Sequence, residues 1–217
     1  MRGAAIVFQY GVKEMRRATL HLRKACPKMS QIIESVGPCR IAFREPVFDT
    51  LVRSIVYQQL SGKAAATIFG RLSEAGANSK GELTPRSLLK LTQEQARAVG
   101  LSQQKYRYLR DLAERTVARQ VNFAKLHDLS DDDVIAHLTQ VKGVGVWTAH
   151  MFLIFALRRP DVLPTGDLGV RTAIKRAWGL EELPTHEEME AIAAPWRPYC
   201  SIASWYLWRS LDGPAEM

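Results

Sequence analysis

The stretch TQVKGVGVWTAHMF, residues 139–152, decides how this chain is read. Glycine inside a helix costs about 1 kcal/mol relative to alanine, so Gly143 and Gly145 together should end one. Both flanks nevertheless carry helical spacing. Val134, Leu138 and Val141 precede the break; Trp147, Met151, Ile154 and Phe155 follow it. An ordinary tight turn between packed helices accounts for this pattern. So does a hairpin whose glycines let the backbone lie against something large.

Outward from that break, nearly every segment reads as helix. The spacing predicts helices over 12–25, 28–36, 46–60, 62–75, 86–98, 102–119, 131–140, 146–158, 168–178, 186–194 and 201–211. Glycine, proline or serine punctuates them. Ser130 with Asp133 and Thr185 with Glu188 have the spacing of capping boxes. Cys39 to Phe43 reads as a short extended piece, with no strand series to join it. The expected fold class is all-α.

With 217 residues, 47% of them hydrophobic, the chain can bury a substantial core. The longest apolar run stops at Arg158-Arg159, too short to span a membrane, and the N-terminal patch lacks the cleavage region of a signal peptide. Cys26, Cys39 and Cys200 are too scattered for a disulfide framework, zinc site or iron–sulfur cluster, and the five histidines form no ligand pair. A formal charge of +8 favours a polyanionic partner.

A phosphate would give the glycines a purpose. Without Cβ atoms, and free to take positive φ, Gly143 and Gly145 let a phosphate oxygen approach their amides closely. The N-terminal end of helix 146–158 adds its dipole, and Lys142 a charge. Such a grip positions a protein on a nucleic-acid backbone without reading sequence. Downstream, Pro164, Gly166 and Gly169 shape a loop that sets Asp167 at the start of helix 168–178. A helix N-cap explains that aspartate on its own. A fixed carboxylate facing the sugar of a gripped strand would also stabilise positive charge as a glycosidic bond breaks.

The blocks Gly143-Val144-Gly145-Val146-Trp147-Thr148-Ala149 and Pro164-x-x-Asp167-Leu168-Gly169-Val170-Arg171 closely resemble the helix-hairpin-helix (HhH-GPD) DNA glycosylases, specifically the AlkA-like 3-methyladenine DNA glycosylase II branch. The resemblance extends to Ile55 through Ala65, Trp196-Arg197-Pro198-Tyr199 and Trp205 through Arg209, so it covers about residues 30–211. It implies two helical subdomains flanking a DNA-binding cleft: a central bundle over 62–145, and a second subdomain from residues 1–60 and 146–217, all within one glycosylase unit. It implies the compact form, without the N-terminal β-domain of larger members.

Residue by residue, the resemblance makes Asp167 the catalytic carboxylate. Bifunctional relatives carry a Schiff-base lysine where this chain has Trp147, so hydrolysis without strand cleavage is expected. Trp147, Trp208, Met151 and Leu168 fall at base-pocket positions, with cation–π attraction a reason for the tryptophans. Core packing would also explain Trp147. Met151 and Leu168 stand where tyrosine often occurs, and Cys200 where arginine is common. Gln59, with Gln58 and Ser61 beside it, matches the wedge that fills the gap left by the extruded nucleotide. Lys142, Gly143, Val144, Gly145 and Arg171 match the phosphate contacts. The carbonyls of Thr139, Val141 and Val144 match a structural monovalent-cation site (sodium or potassium); no other cofactor is implied.

The leading expectation is a monofunctional N-glycosylase removing 3-methyladenine- or 7-methylguanine-type bases from double-stranded DNA. Such an enzyme would act as a monomer, away from membranes, in a bacterial cytoplasm (at the nucleoid) or a eukaryotic nucleus. A glycosylase for ethenoadenine, hypoxanthine or another damaged base is the nearest alternative. A non-catalytic helix-hairpin-helix DNA-binding protein is the alternative from another class, and Asp167 argues against it, because a carboxylate repels phosphates.

Overall fold

A computed structural model describes residues 11–212; the N-terminal apolar patch lies largely outside them. It is all-α. The helices are α1 (Val12–Ala25), α2 (Pro27–Val36), α3 (Phe48–Tyr57), α4 (Gly62–Ala75), α5 (Pro85–Leu88), α6 (Gln93–Ala98), α7 (Gln103–Val117), α8 (Asp131–Thr139), α9 (Val146–Phe155), α10 (Leu168–Trp178), α11 (His186–Ala193) and α12 (Cys200–Arg209). Two 3-10 turns, Phe123–Asp128 and Ala194–Trp196, complete the described elements. No strand occurs among the described residues, and Cys39 to Phe43 is irregular backbone.

The chain divides into two compact units. Among the described residues, one comprises 44–152 and the other joins 11–43 with 153–212. In the first, α3 packs on α4 and α7, and its apolar positions Leu51, Val52, Ile55 and Val56 are fully buried. The facing stripe of α7 contributes Leu109, Leu112 and Ala113. Each large aliphatic side chain buried this way stabilises the unit by about 1.5–3 kcal/mol. In the second, Ala18 and Leu22 of α1 share a core with Ile32 and Ile33 of α2, Val170 and Ile174 of α10, and Ile202 through Leu207 of α12.

The boundaries differ from those expected. Helix α3 belongs to the contiguous unit, not to the unit built from the chain ends, because its buried face is matched by α4 and α7. The second boundary falls inside α9, after Phe152. The single helix expected over 86–98 is two short ones. Thr92 accepts from the Gln95 amide and Gln95 returns the bond, a capping box that starts a new helix mid-segment. Ser130 forms only half a box: it accepts from the Asp133 amide and donates its hydroxyl to the Asp133 carboxylate at 2.7 Å. Thr185 and Glu188 form the complete one. The 3-10 turn at Phe123–Asp128, absent from the sequence reading, is started by Asn122, whose side chain accepts from the Ala124 amide.

Candidate active site and nucleic-acid interface

In the contiguous unit, α8 and α9 flank a tight turn. Val141 donates to Leu138 at 3.1 Å and Val144 to Val141 at 3.0 Å, winding the backbone through the glycines. Gly143 has φ +81°, and a Cβ there would overlap the ring of Tyr108 on α7. Glycine is therefore required twice over, by backbone conformation and by packing. Gly145 differs from expectation. Its φ lies outside the left-handed region, and an added Cβ would meet nothing within 4 Å. Folding does not require glycine at 145, which leaves bare backbone at the N-terminal end of α9, where first-turn amides have no partner within their own helix.

Lys142 is tied from below: Asp111 Oδ2 accepts its backbone N–H at 2.9 Å and also Arg115 Nε at 2.9 Å. The Lys142 ammonium lies 4.0 Å from Asp111 Oδ1, a long ion pair that leaves 71% of the lysine side chain exposed. Val144 is buried and its amide is taken by Val141, so of the expected phosphate contacts it faces inward. The carbonyls of Thr139, Val141 and Val144 are neutral, hard donors, which suit a monovalent cation better than a transition metal. Val141 already accepts one hydrogen bond there. No group of metal-ligating side chains occurs among the described residues.

Helix α3 stops at Tyr57 rather than running to 60. Gln58 turns to ψ 132°, and Gln59 takes φ 57°, the left-handed region that a residue with a Cβ visits only at a cost of about 1 kcal/mol or more. Gln59 is exposed. Gln58 points elsewhere: its Nε2 donates to the Gly143 carbonyl at 2.9 Å, joining the end of α3 to the hairpin. Beneath the turn, Lys105 Nζ donates to the carbonyls of Val56 and Gln58, each at 2.7 Å. Desolvation holds the Lys105 pKa below its ordinary value. Ser61 is the exposed residue preceding α4 and makes no side-chain cap.

Gln58, Gln59, Gly143, Gly145, Trp147 and Met151 line one groove of about 660 Å3 together with Arg44 and Arg53. Trp147 is 48% exposed, so core packing does not account for it. The Arg53 guanidinium lies 3.9 Å from the Tyr57 ring centroid and 5.3 Å from that of Phe69, a cation held over aromatic faces. Arg44 and Arg53 escaped the sequence reading, as did Lys105, Tyr108 and Asp111.

In the second unit, the loop before α10 is closed by Asp167 donating its amide to Pro164 at 2.9 Å. The Asp167 side chain caps α10, accepting from the Val170 amide at 2.8 Å. It is more than a cap, because the same Oδ1 accepts the indole N–H of Trp208 at 2.8 Å. Asp167 is only 7% exposed. Trp208, expected as a pocket wall, is thus a hydrogen-bond partner of the carboxylate, and its ring stacks on Phe155 at 5.7 Å between centroids and 27° between planes. Gly169 makes room for this pair. A Cβ there would lie 2.9 Å from Trp208 Cδ1 and 3.0 Å from Asp167 Oδ1. Leu168, next to the carboxylate, is 64% exposed. Arg171 donates Nε to the Pro184 carbonyl at 3.1 Å, which turns that nitrogen back onto the fold. Cys200 is fully buried, and desolvation pushes its thiol pKa well above the ordinary range.

A glycine-turned hairpin and a buried aspartate capping a downstream helix define a class, and residues 52–198 match it: the chain belongs to the HhH-GPD superfamily of base excision DNA repair proteins. It is 32% identical to DNA-3-methyladenine glycosylase 1 of Schizosaccharomyces pombe, over 92% of this chain and 89% of that protein. The structure of the 3-methyladenine DNA glycosylase from the same yeast, in complex with abasic DNA, superposes with a TM-score of 0.77 at 32% identity, covering 90% of this chain and 97% of the other. The DNA-3-methyladenine glycosidase of Bacillus halodurans gives 0.79 at 33% identity, covering 90% and 89%.

Proposed function

We propose that this protein is a monofunctional DNA N-glycosylase that removes N-alkylated purines from duplex DNA. The observation that carries the reading is the double hold on Asp167 Oδ1 by Val170 N and Trp208 Nε1 in a member of this superfamily. The relatives named for 3-methyladenine support the substrate class.

The chemistry asks little of the protein. An N-alkylated purine is cationic, so when the C1′–N bond breaks the electron pair goes to the base, which leaves neutral and needs no general acid. Positive charge then develops on the sugar, and a preorganised carboxylate stabilises it. Water adds at C1′ and its proton is released, leaving an abasic site. Trp147 has no amine to attack the sugar, so the strand stays intact.

In the contiguous unit, the bare backbone at Gly145 and the Lys142 charge grip a phosphate of the strand. Gln59 enters the duplex as the damaged nucleotide leaves the stack, an extrusion that costs a few kcal/mol and must be recovered by contacts. Trp147, with Met151 beside it, offers a half-exposed aromatic face to a cationic base. Leu168 offers apolar surface beside the carboxylate. A monovalent cation on the Thr139, Val141 and Val144 carbonyls would brace the hairpin, and no chemical step passes through it.

The test is base release from duplexes carrying 7-methylguanine, 3-methyladenine, ethenoadenine or hypoxanthine. Release of the alkylated purines with the strand intact is expected. Preferential release of ethenoadenine or hypoxanthine would overturn the substrate class. Tight binding without release of any base would leave a DNA-binding protein.

A further inference from the structure

Helix α7 touches both DNA-handling turns through one face. Tyr108 lies under Gly143, Asp111 holds the Lys142 amide, and one turn earlier Lys105 reaches the end of α3. Residues three or four apart are neighbours on a helix surface, so 105, 108 and 111 form a continuous stripe. The stripe borders the core side of α7: Leu109 and Leu112, one turn beyond Lys105 and Tyr108, are buried together with Ala113.

The contacts of Lys105 are specific. A helix ends with carbonyls that have no intrahelical partner, and the C-terminal end of its dipole attracts a cation. Lys105 Nζ meets two carbonyls there, Val56 and Gln58, each at 2.7 Å. Bonds from a charged donor are roughly twice as strong as neutral ones. Directly after the second carbonyl, the chain takes the left-handed turn at Gln59. From the same residue whose carbonyl Lys105 holds, the Gln58 amide reaches the Gly143 carbonyl. An exposed glutamine would not keep this strained conformation unaided.

We infer that Lys105 is a positioning residue for base extrusion: by clamping the Val56 and Gln58 carbonyls, it holds the Gln58–Gln59 turn at a fixed height above the hairpin. Gln58 is then the strap between the two turns, and Gln59 alone is the wedge. The hold on the phosphate and the push into the duplex are thereby set by one helix. This inference rests on the proposed glycosylase function and on Gln59 entering the duplex. A lysine that merely stabilised the end of α3 would affect every substrate alike. One that positions the wedge matters most where the base is hardest to extrude.

The experiment compares single-turnover release of 7-methylguanine from one oligonucleotide paired with cytosine at the lesion, mispaired with thymine, and single-stranded. Lys105→Met should lower release from the paired duplex roughly tenfold, the size of effect expected when a hydrogen bond to a charged group is lost. The loss should shrink for the mispair and shrink again for the single strand, and Lys105→Arg should restore most of the duplex rate. If Lys105→Met does not fold, Gln58→Leu cuts the other end of the strap and should give the same gradient. Equal losses on all three substrates, or none, would overturn the inference while leaving the glycosylase reading intact. A wild-type protein that releases neither 7-methylguanine nor 3-methyladenine from any of the three would overturn both.

Discussion

Trp208 donates its indole N–H to Oδ1 of Asp167 at 2.8 Å, across 41 residues of sequence. The carboxylate is thereby oriented by a ring that is itself stacked on Phe155. An N-cap has no need of this second donor; a carboxylate that must face a developing charge without reorganising does.

Asp167→Asn tests the charge alone. The amide oxygen can still accept from Val170 and Trp208, so the cap and the fold should persist. Base excision should fall by on the order of 100-fold or more, while binding to abasic-site DNA is kept. Excision at the wild-type rate would end the electrostatic mechanism.

Orientation is tested separately by Trp208→Phe, which keeps an aromatic ring on Phe155 but removes the donor. A hydrogen bond to a charged group is worth about 1.5–3 kcal/mol, so the excision rate should drop about tenfold or more. Gly169→Ala should act in the same direction, because its methyl group would push between Trp208 and Asp167. If both variants excise normally, the indole bond is incidental.

The hairpin glycines should separate by what they lose. Gly143→Ala forces a side chain into the Tyr108 ring at positive φ and should cost about 2 kcal/mol or more of stability, read as a lowered Tm. Gly145→Ala meets open space and should leave Tm nearly unchanged while weakening binding to abasic-site DNA several-fold. Parallel losses of binding and stability at Gly145 would return the hairpin to the status of a plain turn.

On the proposed mechanism, Trp147 fixes the product. Borohydride added during turnover should trap no covalent protein–DNA adduct, and strand breaks should appear only after alkali. Efficient trapping would mean that another amine attacks the sugar.

The features legible in the sequence were those with local signatures. Helical periodicity placed α1, α4, α9 and α10 within a few residues of their observed ends, and the Gly143-Val144-Gly145 break marked the hairpin. The place of Asp167 at the start of α10 was legible from Pro164, Gly166 and Gly169 around it. What stayed hidden depends on which side chain meets which across the fold. On a sequence, Lys105, Tyr108 and Asp111 look like the solvated face of any amphipathic helix. Their partners, Gln58, Gly143 and Lys142, lie a long way off along the chain. The capping box at Thr92 was written in the sequence and lost beneath the apolar spacing of Leu88, Leu91, Ala96 and Val99, which continues across it.

The two units place unequal demands on chain assembly. Residues 44–152 are contiguous, so that unit can close its core as soon as its own segment is available. The other must bring Leu22 and Ile33 against Ile202 and Leu207, and the entropy of closing a loop grows with its length. Folding the intervening unit first replaces that long flexible loop with a compact insert. Asp167 can acquire its Trp208 donor only after the chain has reached α12. A nascent chain therefore acquires the glycine-turned hairpin before it acquires an oriented carboxylate. On the role proposed for Asp167, the capacity to break a glycosidic bond is the last to mature.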